Sequence, residues 1–390
     1  MKKYLYYVAP LLIAAAAVAC SQDDITEIAE NNAADGRQEI EFHLDMQSRA
    51  TDRTIANLDT IWVYADDGSE TVFEATPFIK DQYGNFKSAE KIYWPDEKET
   101  INFTAFWPSP ERLNSDPNKE YTKNSSGYKE SDYSQISLSP NNCVIKNAVG
   151  MCTNTHYDLI TATTQITKEE ANTGISLSFT HAYAQIEFKA KIDPSADHTV
   201  VIHSVYLSNP YYRSTYSITN NKWESTAYLN NIYTAPSKLL TVSNELQSLT
   251  DKCGPFFIKD QTFNLDNDYK YQVYLKVVLK VYRDGKQIYP TPDQWTEEEK
   301  EKRMFFNPAY ANLFPFKIPE DYGCAKIPLG EGVLDIKAGH KYTFTIDFTN
   351  GVGIYMNGDP TKPHEPILEN PISAKVSIVE WTENNQQAEA

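Results

Sequence analysis

Glycine is scarce in this chain, at 15 of 390 residues, and methionine and cysteine number five each. The cysteines include no Cys-x-x-Cys pair, so nothing carries a zinc-ribbon or dithiol redox reading. Positive charge is short. Lys and Arg number 36 against 53 Asp and Glu, a formal charge of -17. That balance excludes nucleic acid as a partner and adsorption to anionic headgroups, both of which need a basic footprint. Catalytic patterns are missing as well. There is no Gly-x-Ser-x-Gly, no phosphate loop, and no histidine pair at zincin spacing. Carboxylates are too abundant for any two to be chosen as an acid–base pair. Asn264, Asp266, Asn267 and Asp268 lack the spacing of a calcium loop and read as a solvated turn. His181 opens a strand pattern and reads as a packed or hydrogen-bonded residue. The chain is therefore not expected to be an enzyme, and no catalytic residue, metal or cofactor is assigned.

Long apolar runs are also absent, except at the start. Met1-Lys2-Lys3 is followed by an apolar stretch over residues 8–18 and then by Ala17-Val18-Ala19-Cys20. The stretch is too short for a membrane span and ends on small residues, as a cleaved leader does. Residues 1–19 read as a lipoprotein signal peptide, with Cys20 as the lipidated residue after cleavage. Loss of Lys2 and Lys3 would take the charge to about -19, so anchoring falls to the lipid. Ser21-Gln22-Asp23-Asp24 resembles the surface-export signal of Bacteroidetes lipoproteins; as a plain sequence it is also an ordinary polar tether. Residues 20–37 are polar and are assigned as that tether. An exported chain can oxidise Cys143, Cys152, Cys253 and Cys324. A Cys143–Cys152 bridge would close the smallest loop, and buried free thiols are the alternative.

What the chain has is aromatic residues and alternation. Tyr, Phe and Trp number 26, 17 and 6, a bias toward strands. Ile40, Phe42, Leu44 and Met46 alternate with polar residues, a period of two that calls for one buried face. Ile61-Trp62-Val63-Tyr64-Ala65 gives a second strand. Residues 91–95 and 101–108 read as neighbouring strands ended by prolines, and residues 109–135 as a long loop. Residues 175–179 and 182–192 read as a further pair. Strand patterns follow over 201–207, 271–281, 342–348 and 372–378, with Arg283-Asp284-Gly285-Lys286 as a hairpin turn. Thr296-Glu297-Glu298-Glu299 is a capping box for one short helix. Many strands with almost no helical period mean an all-β sandwich architecture. Two β-sandwiches in tandem are expected, over residues 38–195 and 196–390, with the junction at Asp193-Pro194-Ser195.

Several phrases occur in an order that resembles the fimbrillin family of Bacteroidales fimbrial lipoproteins. They are Ile61-Trp62-Val63-Tyr64-Ala65, Tyr93-Trp94-Pro95 with residues 101–108, Asp158-Leu159-Ile160-Thr161-Ala162, Leu177-Ser178-Phe179-Thr180-His181-Ala182, Ala338-Gly339-His340-Lys341-Tyr342, and the ending at residues 376–381. The resemblance covers most of residues 38–381. It implies two transthyretin-like β-sandwiches and a fimbrial subunit, exported as a lipoprotein to the outer membrane and cell surface. It implies further that an arginine-specific protease removes the first strand, and that a strand from another fimbrial subunit fills the opened groove.

The residues fit that scheme. Ile40, Phe42, Leu44 and Met46 lie just ahead of Arg49 and Arg53, so a cut after either arginine would release lipid and strand together. Four apolar side chains at about 1.5–3 kcal/mol each would give an incoming strand a gross gain on the order of 6–12 kcal/mol, reduced by ordering costs. The alternative is a permanent edge strand with both arginines in solvent. Ile372, Ala374, Val376 and Ile378 are a candidate donor strand that could equally stay in the second sandwich. Stalk, tip and anchor roles stay open. A competing reading is a surface glycan-binding lipoprotein, with Tyr211, Tyr212 and Trp223 stacking on sugar rings; such aromatics otherwise fill a β core. A host or glycan receptor is therefore a candidate partner.

Overall fold

The computed structural model describes residues 37–44, 57–114, 135–149, 158–224, 228–234, 238–251, 254–266, 271–291, 321–355, 365–368, 370 and 372–380. In chain order the strands are β1 (Phe42–Leu44), β2 (Thr60–Asp66), β3 (Thr71–Lys80), β4 (Asn85–Ser88), β5 (Thr100–Trp107), β6 (Gln135–Ser137), β7 (Val144–Val149), β8 (Ile160–Thr167), β9 (Ile175–Leu177), β10 (Thr180–His181), β11 (Ala184–Lys191), β12 (Thr199–Ser217) and β13 (Lys222–Trp223). They continue with β14 (Tyr228–Thr234), β15 (Leu240–Thr241), β16 (Gln247–Ser248), β17 (Phe256–Ile258), β18 (Gln261–Asn264), β19 (Tyr274–Arg283), β20 (Lys286–Tyr289), β21 (Gly323–Pro328), β22 (Val333–Ile336), β23 (His340–Asp347), β24 (Ile354–Tyr355) and β25 (Lys375–Glu380). Helix is confined, among these residues, to one turn at Pro110–Leu113 and a 3-10 turn at Glu170–Thr173. The protein is an all-β sandwich.

The first sheet has the order β10-β8-β5-β2-β3-β4-β1-β9. Alternation decides which side chains it buries. Ile61, Val63 and Ala65 of β2 and Ile101, Phe103 and Ala105 of β5 point to one side, where they meet Ile40, Phe42, Leu44, Phe78, Phe86 and Trp94. Tyr64 and Phe106 stand on the opposite face of the same strands and are also fully buried, because a second body covers that face.

A ten-stranded sheet and a five-stranded sheet pack against each other. The first has the path β24-β21-β19-β12-β7-β6 and the second β16-β11-β23-β25. Their inner faces share one core. Ile186 and Phe188 of β11 and Phe344 and Ile346 of β23 lie on one side, opposite Val205 and Leu207 of β12 and Leu275, Val277 and Leu279 of β19. The 19-residue β12 spans about 60 Å at a strand's rise of roughly 3.3 Å per residue. Its first part pairs with β19, and its far end with β7 and β13. That far end lies against the outer face of β2 and β5. There Tyr64, Phe106, Ile145, Tyr183, Tyr216, Ile218, Trp223 and Phe257 make a third apolar cluster.

Three expected neighbourhoods are different in the structure. Residues 91–94 do not pair with β5. They pair with residues 38–40, through Ile40 N–H to Ile92 O and Trp94 N–H to Gln38 O at 2.8 Å each, while β5 lies between β2 and β8. The runs at 175–179 and 182–192 also separate. β9 runs parallel to β1, and β11 runs parallel to β23 in another sheet. Among the described strands, β6 and β7 already belong to the ten-stranded sheet, and the chain returns to the first sheet for β8, β9 and β10 before leaving it at β11. Cys143 is a buried free thiol rather than one arm of a bridge, and burial pushes its thiol pKa up. Cys152 and the expected helix at residues 296–299 lie outside the described residues.

Candidate functional site

The candidate site is the lane occupied by residues 38–44. β1 is an interior strand. β4 flanks it antiparallel, with Phe42 opposite Phe86, and β9 flanks it parallel, with Phe42 opposite Ile175 and Leu44 opposite Leu177. Ile40, Phe42 and Leu44 are each no more than 2% exposed. Phe42 meets Phe78 and Phe103 edge-on, with centroids 4.8 and 5.2 Å apart, the arrangement that aromatic quadrupoles favour. Alternation turns Glu39 and Glu41 to the other face. There Glu41 pairs with Lys87 at 2.8 Å and Glu39 with Lys91 at 2.6 Å. The Glu39 carboxylate raises the pKa of the Lys91 ammonium. Met46, Arg49, Arg53 and Cys20 lie outside the described residues.

The alternation in residues 40–46 pointed to this lane. The lysines were not foreseen, because no local pattern ties residues 87 and 91 to residues 39 and 41. A signal did exist in the spacing of Glu39 and Glu41, two apart between apolar residues.

β25 is the other strand of interest. It pairs antiparallel with β23 and, among the described residues, stands at the end of its sheet. Ala374 is buried, Ile372 and Val376 pack partly against the core, and Ile378 and Val379 are exposed. β25 therefore lies against the core shared by the five- and ten-stranded sheets.

The aromatic residues singled out for sugar stacking separate. Trp223 is buried, its indole N–H donating to the Ala182 carbonyl at 2.8 Å, and its ring packs on Tyr216 and Tyr183. It is part of the third cluster and presents no face to a sugar. Tyr211 is exposed at 39%, and the side chain of Tyr212 is outside the description. Buried beside this cluster, His181 Nδ1 contacts Asp158 Oδ2, so His181 is a hydrogen-bonded core residue. Among the described residues, no group of three His, Cys, Asp or Glu side chains could hold a metal ion, and no helix is long and apolar enough to cross a membrane.

The description of fimbrillin-like proteins matches residues 48–362. Comparison with curated proteins gives no match. Among solved structures, a fimbrial protein from Bacteroides vulgatus is similar at 15% identity, covering 88% of this chain and 100% of that one, with a TM-score of 0.49. The fimbrial anchor protein Mfa2 from Porphyromonas gingivalis is similar at 11% identity, covering 89% and 98%, with a TM-score of 0.32. With most of its length matched by that description, the chain belongs to the fimbrillin-like family.

Proposed function

We propose that this protein is a non-enzymatic fimbrial subunit that is exported as a lipoprotein and joins its neighbours by strand exchange. Cys20 carries the lipid and holds the chain at the outer membrane. An arginine-specific protease cuts after Arg49 or Arg53, and residues 38–44 leave with the lipid. The carrying observation is the position of β1, between β4 and β9 with three apolar side chains in the core. Its departure would vacate an interior lane and leave backbone groups of both flanking strands unpaired, an edge that recruits a new strand. Refilling the three pockets would give roughly 4–9 kcal/mol gross. The thin burial of β25, which among the described residues has one strand neighbour, supports a second part for that strand, as donor to a neighbouring subunit.

The first residue of protein purified from the cell surface tests this. Ala50 or Thr54 at the start of polymeric material is the expected result. Polymers whose subunits all retain lipidated Cys20 would overturn the exchange route and leave a basal-anchor role.

A further inference from the structure

We propose that the β1 lane selects its occupant by charge: it takes a strand with two carboxylates, two residues apart, on the outer face, supplied by a different subunit rather than by a second copy of this chain. The inference rests on the reading above that residues 38–44 leave the sheet.

The inner wall of the lane cannot select sharply. Phe78, Phe86 and Phe103 offer apolar pockets that accept many aliphatic or aromatic side chains. The outer wall is different. Lys87 and Lys91 stand over the lane, and their near partners, Glu41 at 2.8 Å and Glu39 at 2.6 Å, both belong to the departing segment. The carboxylates are only 15% and 11% exposed, against 35% for Lys87 and 60% for Lys91, so the lysines face solvent once the segment has gone and stay available to an incoming strand. Once the segment has gone, Lys87 keeps Asp81 at 3.9 Å, a carboxylate already accepting from the Tyr83 and Asn85 amides. An incoming strand meets two cations spaced to match carboxylates at alternate positions.

The chain's own last strand does not supply them. With Ile372, Ala374, Val376 and Ile378 in the pockets, the outer face would carry Ser373, Lys375, Ser377 and Val379. That set has no carboxylate and brings a lysine toward Lys87 and Lys91. Alternation is the same in either strand direction, so reversing the insertion does not remove the mismatch. Like charges across a strand pair oppose pairing.

The full chain is cut with an arginine-specific endopeptidase, the protease is inhibited, and labelled peptides are added. The peptides span residues 37–44, residues 37–44 carrying Glu39→Lys and Glu41→Lys, and residues 372–380. The native 37–44 peptide should exchange into the cut protein and stay bound through gel filtration. The other two should bind about tenfold or more weakly, with the gap closing in 1 M NaCl. A Lys87→Glu, Lys91→Glu chain should reverse the order of the two 37–44 peptides. Equal binding of all three, or a gap untouched by salt and by the lysine reversal, overturns charge selection and leaves strand removal standing. Failure of even the native peptide to enter overturns strand removal, and charge selection with it.

Discussion

At the scale of single residues, period-two alternation is the strongest message in the sequence, because it depends only on neighbours in the chain. It identifies Ile40, Phe42 and Leu44 as inward and Glu39 and Glu41 as outward. It is silent on Lys87 and Lys91, which arrive from another strand. Phe42→Ala removes a ring that two other rings grip edge-on, and should cost about 3–5 kcal/mol in urea unfolding. A loss under about 1 kcal/mol would mean that β1 is not packed as described. Tyr216 gives a pH signature. Burial pushes its phenol up to about 12 from an ordinary value near 10, while its hydroxyl contacts Thr161 at 3.1 Å and donates to Asn221. The folded state therefore keeps a proton that the unfolded chain gives up. The associated stability is present below pH 10 and is lost as pH rises from 10 to about 12, a change on the order of 2 kcal/mol. Tyr216→Phe should flatten that alkaline limb when denaturant stability is measured from pH 8 to 12; an unchanged slope would contradict the burial of the phenol.

At the scale of elements, local signals were legible and pairing was not. The Asp284-Gly285 turn lies where expected, with φ of 52° and 74°, because both residues tolerate the left-handed region that a tight hairpin needs. Strand order is set by long-range contacts, and so residues 91–94 pair with 38–40 rather than with β5. The two strands proposed to act in assembly differ physically. β1 has hydrogen-bonded neighbours on both sides and a buried face, whereas β25, among the described residues, has one neighbour and exposed Ile378 and Val379. Amide exchange should register this directly. Phe42 and Leu44 should be protected close to the global limit in the uncut chain, and Ile378 and Val379 should exchange orders of magnitude faster. Comparable protection in β1 and β25 would remove the contrast on which their different roles depend.

At the scale of the whole molecule, Trp223 and Tyr216 fill a core rather than present a sugar-stacking face. Trp223 could be read as a binding residue when only its own segment is considered. The surfaces that bury it and Tyr216 come from Tyr183, Phe257 and the outer face of β2 and β5, far away in sequence. The third cluster thus joins the core containing β1 to the core containing β25, and β12 runs from the latter core into the cluster. A chain so joined should unfold in a single cooperative step. Trp223→Ala removes the indole hydrogen bond to Ala182 and two ring contacts at once. It should cost about 3–5 kcal/mol at the joint while leaving both outer cores intact. Calorimetry should then resolve two transitions in the variant where the parent gives one. A single transition displaced to lower temperature would mean that the cores cooperate through the backbone of β12 rather than through the cluster.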